Sequence, residues 1–178
     1  LSAETCHTTN EANSEYAITV SENSAVNVWT GQTSTDWETG SNWTQGSAPS
    51  MMHYMYIGNE YANAPTLDGE GTVTASALTV QAGAILNYTS TSPQNPILIG
   101  SLTNYGTISQ TGGGWFYFAG GIGSVIYNSG TMTSLIFEVG FGTITASSDL
   151  SVDAVLVSGG TFDMDNNDLT ANNGVQVT

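Results

Sequence analysis

The sequence predicts an all-β fold: a parallel, right-handed β-helix, or solenoid, behind a strand-rich N-terminal cap. Three observations predict it. Short apolar runs separated by Gly and Asn turns fill the chain from Thr72 onward. A Gly-Thr-apolar triplet recurs among them. No stretch holds helical spacing for even three turns, and Gly and β-branched residues are too frequent for a helix to form. A β-sandwich is the alternative, because antiparallel strands give a similar pattern.

Taken in order, residues 1–15 are polar and without periodicity, which reads as an extended N-terminal arm. Residues 16–20 and 25–29 alternate apolar and polar side chains, as two short strands would. Residues 30–50 are rich in Gly, Ser, Thr and Trp and turn at Gly40-Ser41; residues 54–57 read as a strand; Pro65 opens a loop around Asp68-Gly69. Residues 16–70 are therefore assigned to a Trp-rich β cap and residues 71–178 to solenoid repeats. In the second region the apolar runs fall at residues 77–80, 84–86, 97–99, 115–118, 124–127, 135–137, 155–157 and 175–177. The triplet appears at Gly71-Thr72-Val73, Gly106-Thr107-Ile108, Gly130-Thr131-Met132, Gly142-Thr143-Ile144 and Gly160-Thr161-Phe162. Its spacing is uneven but clusters about the ~20-residue coil of a solenoid. Stacked coils would turn apolar residues inward and let Asn, Thr and aromatic side chains form ladders along the axis.

Composition removes whole classes of function. The 178 residues contain 15 Asp and Glu but no Lys or Arg, giving a net charge of -15. An average chain of this length would hold about 20 basic residues. Without them there is nothing to neutralise nucleic-acid phosphates, no polybasic membrane patch and no P-loop lysine. Trypsin-like proteases find no cleavage site, which suits a polymer exposed to an outside medium. No apolar run is long enough to span a membrane, so direct membrane insertion is not expected. The chain begins at Leu1, not Met, which suggests a removed signal peptide, and its end within strand-like sequence suggests that more solenoid follows. Cys6 is the single cysteine; it is either an inert thiol or the site of an intermolecular disulfide.

Two stretches resemble a known group. Trp29-Thr30-Gly31, Asp36-Trp37, Asn42-Trp43 and Pro49 follow one another as a W-x-G, D-W, N-W and Pro do in large microbial surface proteins, where they precede a β-solenoid. Ser148-Asp149-Leu150-Ser151-Val152 and Ser158-Gly159-Gly160-Thr161-Phe162-Asp163 through Leu169-Thr170 resemble the repeats of those proteins, among them adhesins, autotransporter-like passengers and sheath-forming components. The resemblance covers residues 29–178 loosely. It implies a cell-surface location and a parallel β-helix, and it carries over no catalytic residue. Met51-Met52-His53-Tyr54-Met55-Tyr56 departs from the pattern, where an acidic residue and aliphatics are usual.

Candidate sites are few. Asp163, Asp165 and Asp168, with Asn166 and Asn167 between, form the densest set of oxygen ligands, and calcium is the ion such a set would take. The same residues are also good turn formers. Met51, His53 and Met55 alternate on one strand face as soft copper ligands would, or as packing. Trp29, Trp37 and Trp43 could stack on surface polysaccharide or cap the open core. Asn42-Trp43-Thr44 and Asn87-Tyr88-Thr89 match the glycosylation sequon. β-Helical polysaccharide lyases use Arg or Lys, absent here, and no paired carboxylates or Ser/His/Asp set stands out, so no enzyme is expected. The reading is of a secreted structural protein whose partners are copies of itself, assembling into a filament, sheath or surface layer, with the arm adding a strand to a neighbour. The alternative is a stalk or carbohydrate-binding module of an adhesin.

Overall fold

The computed structural model describes residues 5–9, 15–19, 26–68, 73–91, 97–119 and 123–178. Strands β1 (Thr5–Thr9) and β2 (Glu15–Thr19) pair antiparallel, Cys6 opposite Ile18, as a separate two-stranded sheet. Part of the expected arm is thus a hairpin strand. Every other named strand pairs in parallel. That is the ladder of a solenoid and not of a sandwich.

The chain climbs through β3 (Val26–Val28), then β4 (Tyr54–Ile57) and β5 (Thr66–Leu67). Two turns follow with one long and one short strand each, β6 (Val73–Val80) with β7 (Ile85–Tyr88) and β8 (Ile97–Asn104) with β9 (Thr107–Gln110). The next three turns each use three strands. They are β10 (Phe116–Ala119), β11 (Ser124–Asn128) and β12 (Thr131–Thr133); β13 (Ile136–Phe141), β14 (Thr143–Ala146) and β15 (Leu150–Val152); β16 (Ala154–Val157), β17 (Thr161–Asp163) and β18 (Leu169–Ala171). β19 (Val175–Val177) begins another. The result is a solenoid of about five turns. The long strand β8 is the fork: its first half pairs with β10 and its second half with β11, so one face becomes two. Stacking starts at β3, with Tyr54 over Val26 and Ala77 over Tyr54, so residues assigned to the cap already form solenoid ladder.

Alternation places one side chain in two inside, and the ladder stacks like on like. Met55, Leu78, Leu102, Ile126 and Ala146 form one such column, each at most 1% exposed. Burying a Leu or Ile in this way stabilises the fold by about 1.5–3 kcal/mol. Phe116, Phe137 and Val155 form a second column, equally dry. Buried polar side chains in the core are mostly hydrogen-bonded, Gln110 Oε1 being an exception. Fully buried Asn104 donates from Nδ2 to Asn128 Oδ1 (2.7 Å) and to the Thr131 carbonyl (3.2 Å), and accepts from the Gly106 amide (3.1 Å).

The uneven triplet spacing has a simple cause: the repeat lies in two separate columns. Thr107 stacks under Thr131, and Thr143 under Thr161. At the corner above Gly106, a Cβ on Gly130 would overlap the Gly106 carbonyl and the Tyr105 backbone. Neither can yield without opening the ladder. Gly130→Ala is therefore expected to cost about 1–3 kcal/mol, read as a lowered urea midpoint with an unchanged slope.

Tyr88 is buried edge-on against Phe116, with centroids 5.3 Å apart, and its hydroxyl lies 3.5 Å from the Trp115 carbonyl. Burial pushes its pKa above the ordinary 10.0, and hydrogen bonding with Ser90 pulls it back only in part. The unfolded chain then releases the phenol proton first. Stability is intact below pH ~10 and declines as pH rises toward the folded-state value. Tyr88→Phe should flatten that alkaline decline relative to the intact protein in urea melts at pH 8 and above 10.

Candidate functional site

The first strand of the solenoid is backed by the tryptophan-rich segment. Trp29, Trp37 and Trp43 are 1–3% exposed and pack on one another: Trp29 and Trp37 stack at 6.1 Å, and Trp43 meets them edge-on at 5.1 and 4.5 Å. Their indole nitrogens are used inward, Trp43 Nε1 donating to the Trp37 carbonyl (2.8 Å) and Trp29 Nε1 to the Asn63 carbonyl (2.8 Å). Asn63 Nδ2 returns a bond to the Gly31 carbonyl (2.7 Å), where Gly31 adopts a left-handed φ of 58° and a Cβ would meet Asn63. Asn42 is fully buried at the centre. Its Oδ1 accepts from the Thr33 and Ser34 amides (2.8 and 3.0 Å), and its Nδ2 donates to Ser34 Oγ (3.0 Å) and the Asp36 carbonyl (2.8 Å). Each residue of the W-x-G, D-W, N-W pattern thus has a packing or hydrogen-bonding task.

The same segment closes the edge of the first strand. The Thr44 amide donates to the Val28 carbonyl (3.0 Å), the Val28 amide donates to Thr44 Oγ1 (3.0 Å), and Gln45 Nε2 donates to the Val26 carbonyl (3.0 Å). Buried Asn27 accepts from the Gln45 amide (3.1 Å) and donates to the Ser47 carbonyl (2.9 Å). The outer side of β3 is sealed. The three tryptophans consequently offer no face to a sugar ring, which corrects the polysaccharide reading of Trp29, Trp37 and Trp43. The Asn42 sequon is closed too, since that amide is buried and fully engaged, whereas Asn87 is half-buried on β7.

The acidic cluster is a turn. Asp163 Oδ1 accepts from the Asp165 amide (3.0 Å), Asp165 and Asn166 have φ of 43° and 66°, and the Asp168 amide donates instead to Asp149 Oδ1 (2.9 Å). Asn167 Nδ2 donates to the Ala146 and Met164 carbonyls (2.9 and 3.1 Å). Among the described residues no group of three or more His, Cys, Asp or Glu is placed to hold a metal, so the structure does not gather the Asp163, Asp165 and Asp168 carboxylates into one such group. Met51 and Met52 are exposed while Met55 is buried, and His53 Nδ1 accepts from the Ser50 amide (3.0 Å), so the soft-ligand set is not assembled either. The side chain of Cys6 lies outside the described residues. No helix among the described residues is long and apolar enough to cross a membrane.

Among the described residues β19 is the last strand of the ladder. The column that begins with Phe116 and Phe137 ends at Val175, which is 53% exposed, and Val177 is 75% exposed. Phe162, Met164 and Leu169 pack against the core from one side only partly buried. The Val155 amide reaches the Gly174 carbonyl and the Thr178 amide the Val157 carbonyl, so by parallel alternation the backbone groups of Val175 and Val177 face outward. No strand of the described residues pairs with that edge. Beside it runs a groove of about 290 Å³ lined by half-buried Trp115, Ile136 and Leu156 and by exposed Val175 and Gln176. Sequence reading gave Trp115 no role, because only the fold brings it next to residues some 60 positions away.

Compared with known protein families, curated sequences and solved structures, the chain finds no match.

Proposed function

We propose that this chain is an extracellular structural protein that assembles with copies of itself into a filament, sheath or surface layer. The observation that carries the reading is a parallel β-solenoid, sealed by tryptophans at β3, in a chain that holds no Lys or Arg and carries a charge of -15. The absence of Lys and Arg supports exposure to an outside medium, as does the resemblance of the tryptophan pattern to surface solenoids.

Electron microscopy of the purified chain, with and without reducing agent, tests this. Ordered fibres or sheets are expected. Loss of order on reduction would assign Cys6 to the junction, and isolated short rods at high concentration would sink the reading. The adhesin-module alternative is favoured by one observation, the Trp115 groove. Glycan-array binding that disappears on Trp115→Ala would support it.

A further inference from the structure

A second groove, of about 390 Å³, opens beside the tryptophan cap and is lined by Tyr56, Gly58, Asn59, Glu60 and Gln81. Its volume suits a small ligand or part of a larger one. The loop between β4 and β5 that shapes it is pinned at two points. Trp29 Nε1 donates to the Asn63 carbonyl (2.8 Å), and the Tyr61 hydroxyl accepts from the Ile85 amide (2.9 Å). One wall is an aromatic and amide pair, the Tyr56 hydroxyl donating to Gln81 Oε1 (2.9 Å). That bond orients the amide and leaves the donors of Gln81 Nε2 for another partner. Among the described residues neither Nε2 nor the exposed side chains of Asn59 and Glu60 make a hydrogen bond. Gly58 keeps the space open: a Cβ there would stand 3.3 Å from the Tyr56 ring and 3.4 Å from Gln81 Oε1.

The ladder carries this surface onward. Gly58, Gln81 and Tyr105 follow one another along the axis, because the Gln81 amide bonds the Ile57 carbonyl (2.9 Å) and the Tyr105 amide the Val80 carbonyl (2.8 Å). Each step is ~4.8 Å. Tyr105 is 47% exposed, and its ring lies 5.4 Å from that of Tyr127.

We propose that this groove binds a neutral glycan chain running along the solenoid axis toward Tyr105. A carboxylate, two carboxamides and a phenol ring match the chemistry of a sugar. Glu60 accepts from hydroxyls with charge-assisted strength, Gln81 and Asn59 both donate and accept, and a tyrosine face packs on the C–H face of a pyranose. Phosphates and sulfated or uronic glycans are repelled instead, since Glu60 stands in a chain of charge -15 that has no Lys or Arg to pair with them. The inference deepens the carbohydrate-binding alternative above, moves its site away from Trp115, and is independent of self-assembly.

An array of neutral, uronic and sulfated oligosaccharides, followed by calorimetry on the best neutral sugar as disaccharide and hexasaccharide, tests it. The intact chain is expected to bind neutral sugars only. Glu60→Ala, which removes an exposed side chain and no internal bond, should keep the melting temperature and weaken binding about tenfold or more. Gly58→Val, which fills the groove and removes no polar group, should abolish binding. Tyr105→Ala should weaken the hexasaccharide and spare the disaccharide. Absence of neutral-sugar binding, preference for the anionic sugars, or unchanged affinity in Glu60→Ala would each overturn the proposal. Binding lost in Trp115→Ala and kept in Glu60→Ala would overturn this site while leaving the carbohydrate-binding reading in place.

Discussion

Trp43→Ala should lower stability by about 3–5 kcal/mol, the range for emptying a buried tryptophan site. The side chain sits edge-on to both other cap tryptophans and hydrogen-bonds the Trp37 backbone, so its loss leaves a cavity and an unsatisfied carbonyl together. Location distinguishes a cap from ordinary core. Solenoid turns contact only their neighbours. Hydrogen exchange should therefore quicken in β3 and β4 and scarcely change in β13 and β16. Uniform loss of protection would mean that the tryptophans hold the whole fold and not one end of it.

Asn42→Ala is expected to cost about 2–4 kcal/mol, because it strands the Thr33 and Ser34 amides, each an orphaned donor worth about 1–3 kcal/mol. Asn42→Asp tests the amide specifically: it keeps both acceptors but loses the donors to Ser34 and Asp36 and buries a charge, so it should be no better than alanine. Combined with Trp43→Ala the losses should add to less than their sum, because one loop is released by either. Thermal and urea melts of the three variants check this. Recovery to the intact stability in Asn42→Asp would show that only the accepted bonds matter.

Much of the fold was legible because the inward column of a solenoid leaves a direct trace in sequence. The runs at residues 54–57, 77–80 and 124–127 are the strands β4, the second half of β6 and most of β11. The triplet glycines Gly106, Gly130, Gly142 and Gly160 stand immediately before β9, β12, β14 and β17, which begin with the triplet's Thr. Strands of two or three residues, such as β5, are too short to show alternation. The forking of β8 was hidden, because nothing in residues 97–104 announces that the next turn divides. Thr5–Thr9 reads as featureless polar chain, since its strand is defined by a partner and not by an apolar face. At the candidate sites, residue type outran geometry. Three aspartates within six positions looked like ligands, yet one bonds the local turn and another lies against the neighbouring coil. Three tryptophans suited a sugar platform equally well until their burial decided for the cap.

Because successive turns are joined by backbone hydrogen bonds running along the solenoid axis, tension along that axis loads each ladder in the direction in which it opens. The turns are linked in series by covalent chain, with pairs such as Ile97 over Phe116 and Ala77 over Ser101 separated by 19 to 24 residues. A stretched molecule would therefore yield by peeling turns singly, each releasing about 7 nm of slack. A fibre of such units would absorb work by lengthening before it parted, and would recoil as the turns rewound.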